Sequence, residues 1–315
     1  MSSPLPPPHV LYARLAARAR LRHLQLLVAV AEEGSLVRAA EAVGMSQPAA
    51  TQAMAELERL LGMGLFERHA RGMRATAVTA SVLPLVRNIL QAVQSTAETM
   101  AAVRDGASGL LRVGTLPAVA ALLARQLTRL LQRQPQWRVE VVEETGEQLL
   151  QHLLGGRLDL ALLRQPRAVP ARIRFEALLQ DEAVVLCGVR HPLTRKSRLA
   201  LADLAACPWL LPPVGIEARQ ALDQLFAASM TPMRVHPIST SSQSVLVEVL
   251  ADQQTLVLAP ASLARFICDW GLGVRLDTTL QVPLPAIGVA WVADASPVPV
   301  GDALIELLRG AEAGP

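Results

Sequence analysis

The chain has 315 residues, of which 51% are hydrophobic and only 3% aromatic, with 30 basic and 27 acidic side chains. That length predicts two or three domains, and the composition excludes a disordered chain and predicts cores of Ala, Leu and Val rather than rings. No apolar run reaches the ~18 residues of a membrane-spanning helix, and prolines occupy the start MSSPLPPPHV where a signal peptide is apolar, so a cytoplasmic chain without a membrane partner is expected.

Cys187, Cys207 and Cys268 are odd in number, far apart and without CxxC spacing, which predicts reduced core thiols. Residues 1–105 hold 11 basic and 8 acidic side chains and residues 106–315 hold 19 of each, so the whole excess of +3 lies in the first third. A basic segment beside a neutral one fits nucleic-acid contact by the former. Every basic residue except Lys196 is arginine, which suits phosphate and guanine contacts and is equally what a GC-rich genome would encode.

An N-terminal extension, residues 1–20, places Arg14 and Arg18 four apart, with Arg22 continuing the stripe. This is either a solvated helix face or one that reaches DNA backbone. From Leu21, the positions Leu24, Leu27, Val28 and Ala31 form one apolar stripe of a helix ending at Gly34. Ser35 caps a second helix with Leu36, Ala39, Ala40 and Val43 inward. Ser46 caps a third, with Pro48 in its first turn and Ala50, Met54, Leu57 and Leu61 buried. Two short helices joined at Gly44-Met45 make a helix-turn-helix, and LFERHARGMRATA, with a turn at Gly72, reads as a β-wing. Residues 21–77 are therefore a winged helix-turn-helix. Ser46, Gln47, Pro48, Thr51 and Gln52 lie at the start or on the outer side of the third helix and are the candidate major-groove residues. The carboxamides suit adenine edges, and the threonine suits a thymine methyl or a phosphate. Arg68, Arg71 and Arg74 of the wing are the candidate phosphate or minor-groove contacts.

From Val82 to Val103 the residues Val82, Val86, Ile89, Val93, Thr96, Met100 and Val103 recur at steps of three and four, the spacing of a coiled-coil seam. Ser81 and Pro84 fit that helix's first turn. Residues 78–106 are read as a linker helix for self-association, ended by RDGASG, with Val82, Val86, Ile89, Val93 and Met100 as its contacts. Residues 107–315 then alternate strand and helix, the pattern of a mainly parallel sheet covered by helices. Two α/β lobes are expected, lobe I over 107–182 and 284–315 and lobe II over 183–283, joined by two crossing strands. Small polar molecules bind between such lobes near helix N-termini. Thr115, Leu116, Pro117, Ala118 and Val119 after the first strand, Arg164 at the end of LDLALLR, and Thr240, Ser241 and Ser242 at a helix start are the candidate effector residues, for a small polar or anionic metabolite.

The chain has no GxSxG elbow, P-loop, HExxH or GxGxxG fingerprint, and its six histidines lack metal-ligand spacing, so no catalytic, metal or cofactor site is expected. The alternative to a ligand-responsive DNA-binding regulator is an α/β solute-binding or enzymatic protein with an incidental helical appendage.

The string GSLVRAAEAVGMSQPAATQAMAELERLLGMGLFERHARGMRAT at 34–76 resembles the LysR-type transcriptional regulators, and the likeness continues through ASGLLRVGTLP at 107–117, HPL at 191–193, LADLAACPWLLPP at 201–213 and SLAR at 262–265. The resemblance implies a DNA-binding domain, a linker helix pairing antiparallel with a second copy, an effector domain with two Rossmann-like lobes similar to periplasmic binding proteins, and a homotetramer built as a dimer of dimers. It also implies operator or promoter DNA, a small-molecule effector and RNA polymerase as partners. The sequence departs from the family pattern at Ala80 and Ser81, where a glycine is usual, and at Asp252-Gln253-Gln254-Thr255, which replaces a common A-G-L-G turn.

Overall fold

The computed structural model describes residues 7–69, 72–214, 216–229, 232–293 and 299–310. The chain divides into two compact units, the first formed mainly by residues 1–101 and the second mainly by residues 102–315.

The first unit contains α1 (Pro8–Arg18), α2 (Leu21–Glu33), α3 (Leu36–Ala42), α4 (Gln47–Leu61) and the hairpin β1 (Phe66–His69) and β2 (Gly72–Ala75), which leads into α5 (Ala77–Arg104). The caps lie where the sequence puts them. The Ser35 hydroxyl accepts from Arg38 N at 3.5 Å and that of Ser46 from Ala49 N at 3.4 Å, each answering one of the orphan N–H groups of a helix start. Gly44, at φ +67°, turns the chain between α3 and α4, a left-handed conformation that costs a side chain about 1–2 kcal/mol. Ala39, Ala40, Ala50 and Ala53 are buried where the helices meet, with Leu26, Leu27, Val30, Met54 and Leu57 completing the core.

Three expectations are corrected here. The buried stripe of α2 is His23, Leu26, Leu27, Ala29 and Val30, while Leu24, Val28 and Ala31 are only partly buried; the segment is apolar on several sides, so its periodicity fits more than one stripe. The long helix starts at Ala77 rather than near Ser81, because Thr76 caps it: Thr79 N donates to Thr76 Oγ1 at 3.3 Å, and the buried Thr79 hydroxyl donates to Leu65 O at 2.7 Å. Ser81 and Pro84 thus lie within the helix, where Ser81 Oγ donates back to Ala77 O. Val86 is no seam residue, since it is buried with Leu83 in the core of the first unit, and Val82 is half-buried. The exposed apolar strip is Leu85, Ile89, Val93, Met100 and Val103, each 44–68% exposed. The extension also contributes structure, because α1 packs on α4 and Leu15 joins the margin of the core.

The second unit runs β3 (Gly109–Thr115), α6 (Ala120–Arg133), β4 (Trp137–Glu143), α7 (Gly146–Leu154), β5 (Leu160–Arg164), β6 (Ile173–Cys187), α8 (Leu201–Ala205), β7 (Pro208–Leu211), α9 (Glu217–Ala228), β8 (Arg234–Ser239), α10 (Gln243–Leu250), β9 (Leu256–Pro260), α11 (Ala261–Asp269), β10 (Val274–Arg275), β11 (Val282–Val292) and α12 (Pro299–Arg309). The strand order is β4-β3-β5-β11-β6-β9-β7-β8, with β10 on β6. β3 is parallel to β4 and β5, and β7 is parallel to β8 and β9, as helix-connected strands must be. β6 and β11 are antiparallel to each other and run from one lobe into the other. The strand expected at 183–189 therefore begins ten residues earlier, at Ile173, in lobe I. Lobe I packs Leu111, Val113, Leu127, Leu162 and Leu304 in its core. Lobe II has Trp209, Leu222 and Phe226 on one side of its sheet and Leu186, Leu250, Val257 and Ile267 on the other.

The departure at 252–255 has a local physical basis. Gln253 holds φ +61° without a glycine, and its side-chain carbonyl accepts from Arg190 N at 2.6 Å. Asp252 accepts from Gln254 N, Thr255 N and the Thr255 hydroxyl at 2.7–3.0 Å. Burial pushes that carboxyl up, but these hydrogen bonds and His236 outweigh it and hold it below its ordinary value. Among the described residues no helix is long and apolar enough to cross a membrane.

Candidate nucleic-acid interface and ligand cleft

Burial of Ala50, Ala53, Met54 and Leu57 turns the opposite side of α4 outward, so that Ser46, Gln47, Pro48, Thr51, Gln52 and Ala55 are all exposed. The hydroxyls of two of them already serve the helix: Ser46 caps it, and Thr51 Oγ1 donates to Gln47 O at 2.9 Å. The carboxamides of Gln47 and Gln52 are the uncommitted donor–acceptor groups of this face, and Thr51 presents its methyl.

The hairpin pairs Glu67 with Arg74, Arg68 with Met73 and His69 with Gly72. Directly opposed residues share a face, so Arg68 lies on the side of Phe66 and Met73, which pack on the core, and Arg74 lies on the other side with Glu67 and His69. Both arginines are exposed, but the structure does not bring them onto one face. Arg71 lies outside the described residues. The hairpin is pinned to the turn after α2, where Met73 N donates to Gly34 O at 2.8 Å. Gly72, at φ +125°, passes so close that a Cβ would sit 2.4 Å from Gly34 O, so only glycine fits.

In the second unit a cavity of about 460 Å³ opens between the lobes. Of the sequence candidates, Leu116, Pro117, Ala118, Arg164, Thr240 and Ser241 line it. Three do not. Thr115 is fully buried at the strand end, Val119 belongs to the lobe I core, and Ser242 spends its hydroxyl capping α10 through Val245 N. The sequence reading missed Gln243, which comes one residue after Ser242 and whose carboxamide donates from lobe II to Pro117 O of lobe I. It also missed the apolar walls from Leu210, Leu211, Ile216, Leu246, Val257 and Leu263. Strand residues of alternating outlook give no cleft signal until the topology sets the lobes face to face.

Arg164 is the cationic residue of the lining, and its charge is already met. Its Nη2 donates to Asp181 at 2.7 Å and its Nη1 to Pro285 O at 3.0 Å. Asp181, with its side chain 1% exposed, also accepts from the N–H and hydroxyl of Ser262 at the start of α11. This knot joins the end of β5, both crossing strands and a lobe II helix. Glu144 adds a negative charge to the rim, so the cleft carries no excess positive charge.

Residues 21–79 match the bacterial regulatory helix-turn-helix family of lysR type, and residues 104–313 match the LysR substrate binding domain. The chain is 31% identical over 300 residues to the HTH-type transcriptional regulator GbpR of Azospirillum brasilense, covering 94% of this chain and 88% of that one. It is 36% identical over 245 residues to the SDS degradation transcriptional activation protein of a Pseudomonas species, covering 76% and 78%. The full-length structure of CbnR complexed with its target DNA superposes with a TM-score of 0.64 at 24% identity, covering 92% of this chain and 99% of that one.

Removing one partner of the buried ion pair should be costly. Arg164→Ala leaves Asp181 charged and unpaired, and denaturant unfolding should report a loss of about 3–5 kcal/mol, whereas Arg164→Met with Asp181→Leu should recover most of it. Equal stability of wild type and Arg164→Ala would show that the pair carries no structural weight. With a helix-turn-helix ahead of an effector-binding domain and both matched along most of its length, the chain belongs to the LysR family of DNA-binding transcriptional regulators.

Proposed function

We propose that α4 is the recognition helix and that Gln47 and Gln52 read base edges from the major groove, with Thr51 and Pro48 packing on thymine methyls and Ser46 close to the backbone. The observation that carries this is the outer face of α4, where the carboxamides of Gln47 and Gln52 have no partner among the described residues and the neighbouring hydroxyls of Ser46 and Thr51 are already spent on the helix. Adenine is the base whose major-groove edge matches a carboxamide in two hydrogen bonds. Arg74 on the outer face of the wing, with Arg68 on its other face, supplies phosphate or minor-groove contacts, and Arg71 is assigned the same role from the sequence.

The cleft takes the effector. Its walls are largely aliphatic, and its polar side chains are Thr145, Thr240, Ser241, Gln243, Glu144 and the remaining donors of Arg164. Since Arg164 is neutralised by Asp181, the effector is a small amphipathic molecule with a polar rather than multiply anionic head. It acts by changing how the lobes are held together across the Gln243–Pro117 bond. The protein is a regulator and not an enzyme. Burial, with Cys207 and Cys268 nearby, pushes the Cys187 thiol up to about 12, and burial raises Cys207 as well, so neither is a thiolate nucleophile at neutral pH.

Two copies pair through α5 along Ile89, Val93 and Met100, together with Leu85 and Val103, an apolar strip that a monomer would leave in water. The effector domains extend the dimer to a tetramer, and RNA polymerase is the partner that reads the outcome.

Three results are expected. Gln47→Ala and Gln52→Ala should each cost about 1–3 kcal/mol on a specific site and little on random duplex, measured by fluorescence anisotropy; unchanged discrimination in both would remove α4 from the readout. In a thermal-shift screen of the full chain, amphipathic small molecules should raise the unfolding temperature, and Ser241→Ala should weaken the response to the best of them. An equal response to that compound in the variant would place the polar contact elsewhere. Ile89→Asp with Val93→Asp should dissociate the α5 pair in sedimentation, because each unpaired carboxylate would lie in an apolar seam at a cost of several kcal/mol; an unchanged sedimentation coefficient would rule out this seam.

A further inference from the structure

Helix α1 precedes the matched family segment, which begins at residue 21. Arg14 and Arg18 lie on it, Arg20 forms the junction to α2, and Arg22 opens α2; all four are exposed. Residues 1–31 contain these four of the 30 basic side chains and none of the 27 acidic ones, leaving 26 basic against 27 acidic in the rest. The net positive charge of the whole chain is thus concentrated in this segment.

Five of the acidic side chains of the first unit have other partners. Glu32 pairs with Arg87, Glu33 with Arg38, Glu56 with His23 and Glu67 with His69, while Glu58 accepts from Leu65 N. No hydrogen bond or ion pair of the described residues engages the side chains of Arg14, Arg18 or Arg22. Four like charges within nine residues repel one another, and the fold spends nothing on neutralising them. It does fix them in place: Leu15 anchors α1 to the core, α1 packs on α4, and the α1–α2 junction is held beside α4 by the His23–Glu56 contact at 3.8 Å, one helical turn beyond Gln52. Arg14 and Arg18, four residues apart, share one face of α1.

We propose that α1 is an additional DNA-binding element, in which Arg14, Arg18 and Arg20 grip backbone phosphates of double-stranded DNA alongside the groove entered by α4. The proposal rests on the reading of α4 as the recognition helix. The contact is sequence-independent, because guanidinium–phosphate pairing positions the protein and carries no base information. It enlarges the footprint and the salt dependence of binding while leaving discrimination to Gln47 and Gln52.

The test compares full-length wild type, the triple variant Arg14→Ala, Arg18→Ala, Arg20→Ala, and the triple lysine variant. Their affinities are measured between 50 and 300 mM salt on a duplex selected from a random-sequence pool and on an unselected duplex. Each lost phosphate contact should lower the slope of log affinity against log salt by about 0.9. The alanine variant should therefore lose about two to three in slope, bind both duplexes roughly tenfold or more weakly at ~150 mM salt, and keep its selected-to-unselected ratio. The lysine variant should keep most of the slope. An unchanged slope in the alanine variant overturns the proposal, and so does a lysine variant that loses as much as the alanine one, since the role would then be packing. Binding of wild type to anionic phospholipid vesicles more tightly than to duplex at the same salt would also overturn it. Gln47→Ala in the same series separates the two readings: if it lowers the ratio while the alanine triple leaves the slope intact, α4 stands and α1 falls. If the slope drops and the ratio never moves, the α1 contact stands and the assignment of α4 fails.

Discussion

The close approach of α3 and α4 through alanines sets the outer face of α4, the surface proposed to read DNA. Ala39, Ala40, Ala50 and Ala53 are all nearly inaccessible, and a larger side chain at any of them would overpack the contact. With that side of α4 committed to the core, the helix has only one orientation available, and it points Gln47 and Gln52 at solvent. The cap from Ser46 and the back-bond from Thr51 then fix the first two turns. The wing follows from the same constraint, because its docking onto the Gly34 carbonyl requires a glycine at 72.

In the effector unit the corresponding constraint is the buried carboxylate of Asp181. It satisfies Arg164 from lobe I and the N–H and hydroxyl of Ser262 at the start of α11 in lobe II while sitting on a strand common to both. A charge this deeply placed has to be fully paired, which ties the crossing strands to the wall of the cleft. An effector that draws on the free donors of Arg164 would act directly on the group that joins the lobes. That gives ligand binding a physical route to the arrangement of the domain.

Much of this was legible in the sequence, for identifiable reasons. Ser35, Gly44, Ser46 and Pro48 act locally, so the starts of α3 and α4 and the turn between them could be read residue by residue, and alternation of strand and helix revealed the two-lobed sheet. What failed was whatever depended on tertiary context. The apolar run of α2 fits more than one stripe, and only its neighbours choose Leu26 and Val30. Val86 keeps the spacing of the seam yet is claimed by the core of the first unit, whereas Leu85, off that spacing, is exposed. Thr115, Val119 and Ser242 flank the cleft in sequence but turn away from it, and Gln243 and the leucine walls enter only because β6 and β11 set the lobes opposite each other.

In the proposed arrangement a two-fold assembly reads sequence through α4. Selection of binding sites from a random-sequence duplex pool by the full-length chain addresses it most directly. Enrichment of an inverted repeat is expected, with adenine-containing half-sites separated by a whole number of helical turns, about 10 base pairs each. Recovery of no preferred sequence, or of a single asymmetric half-site bound by a monomer, would contradict it.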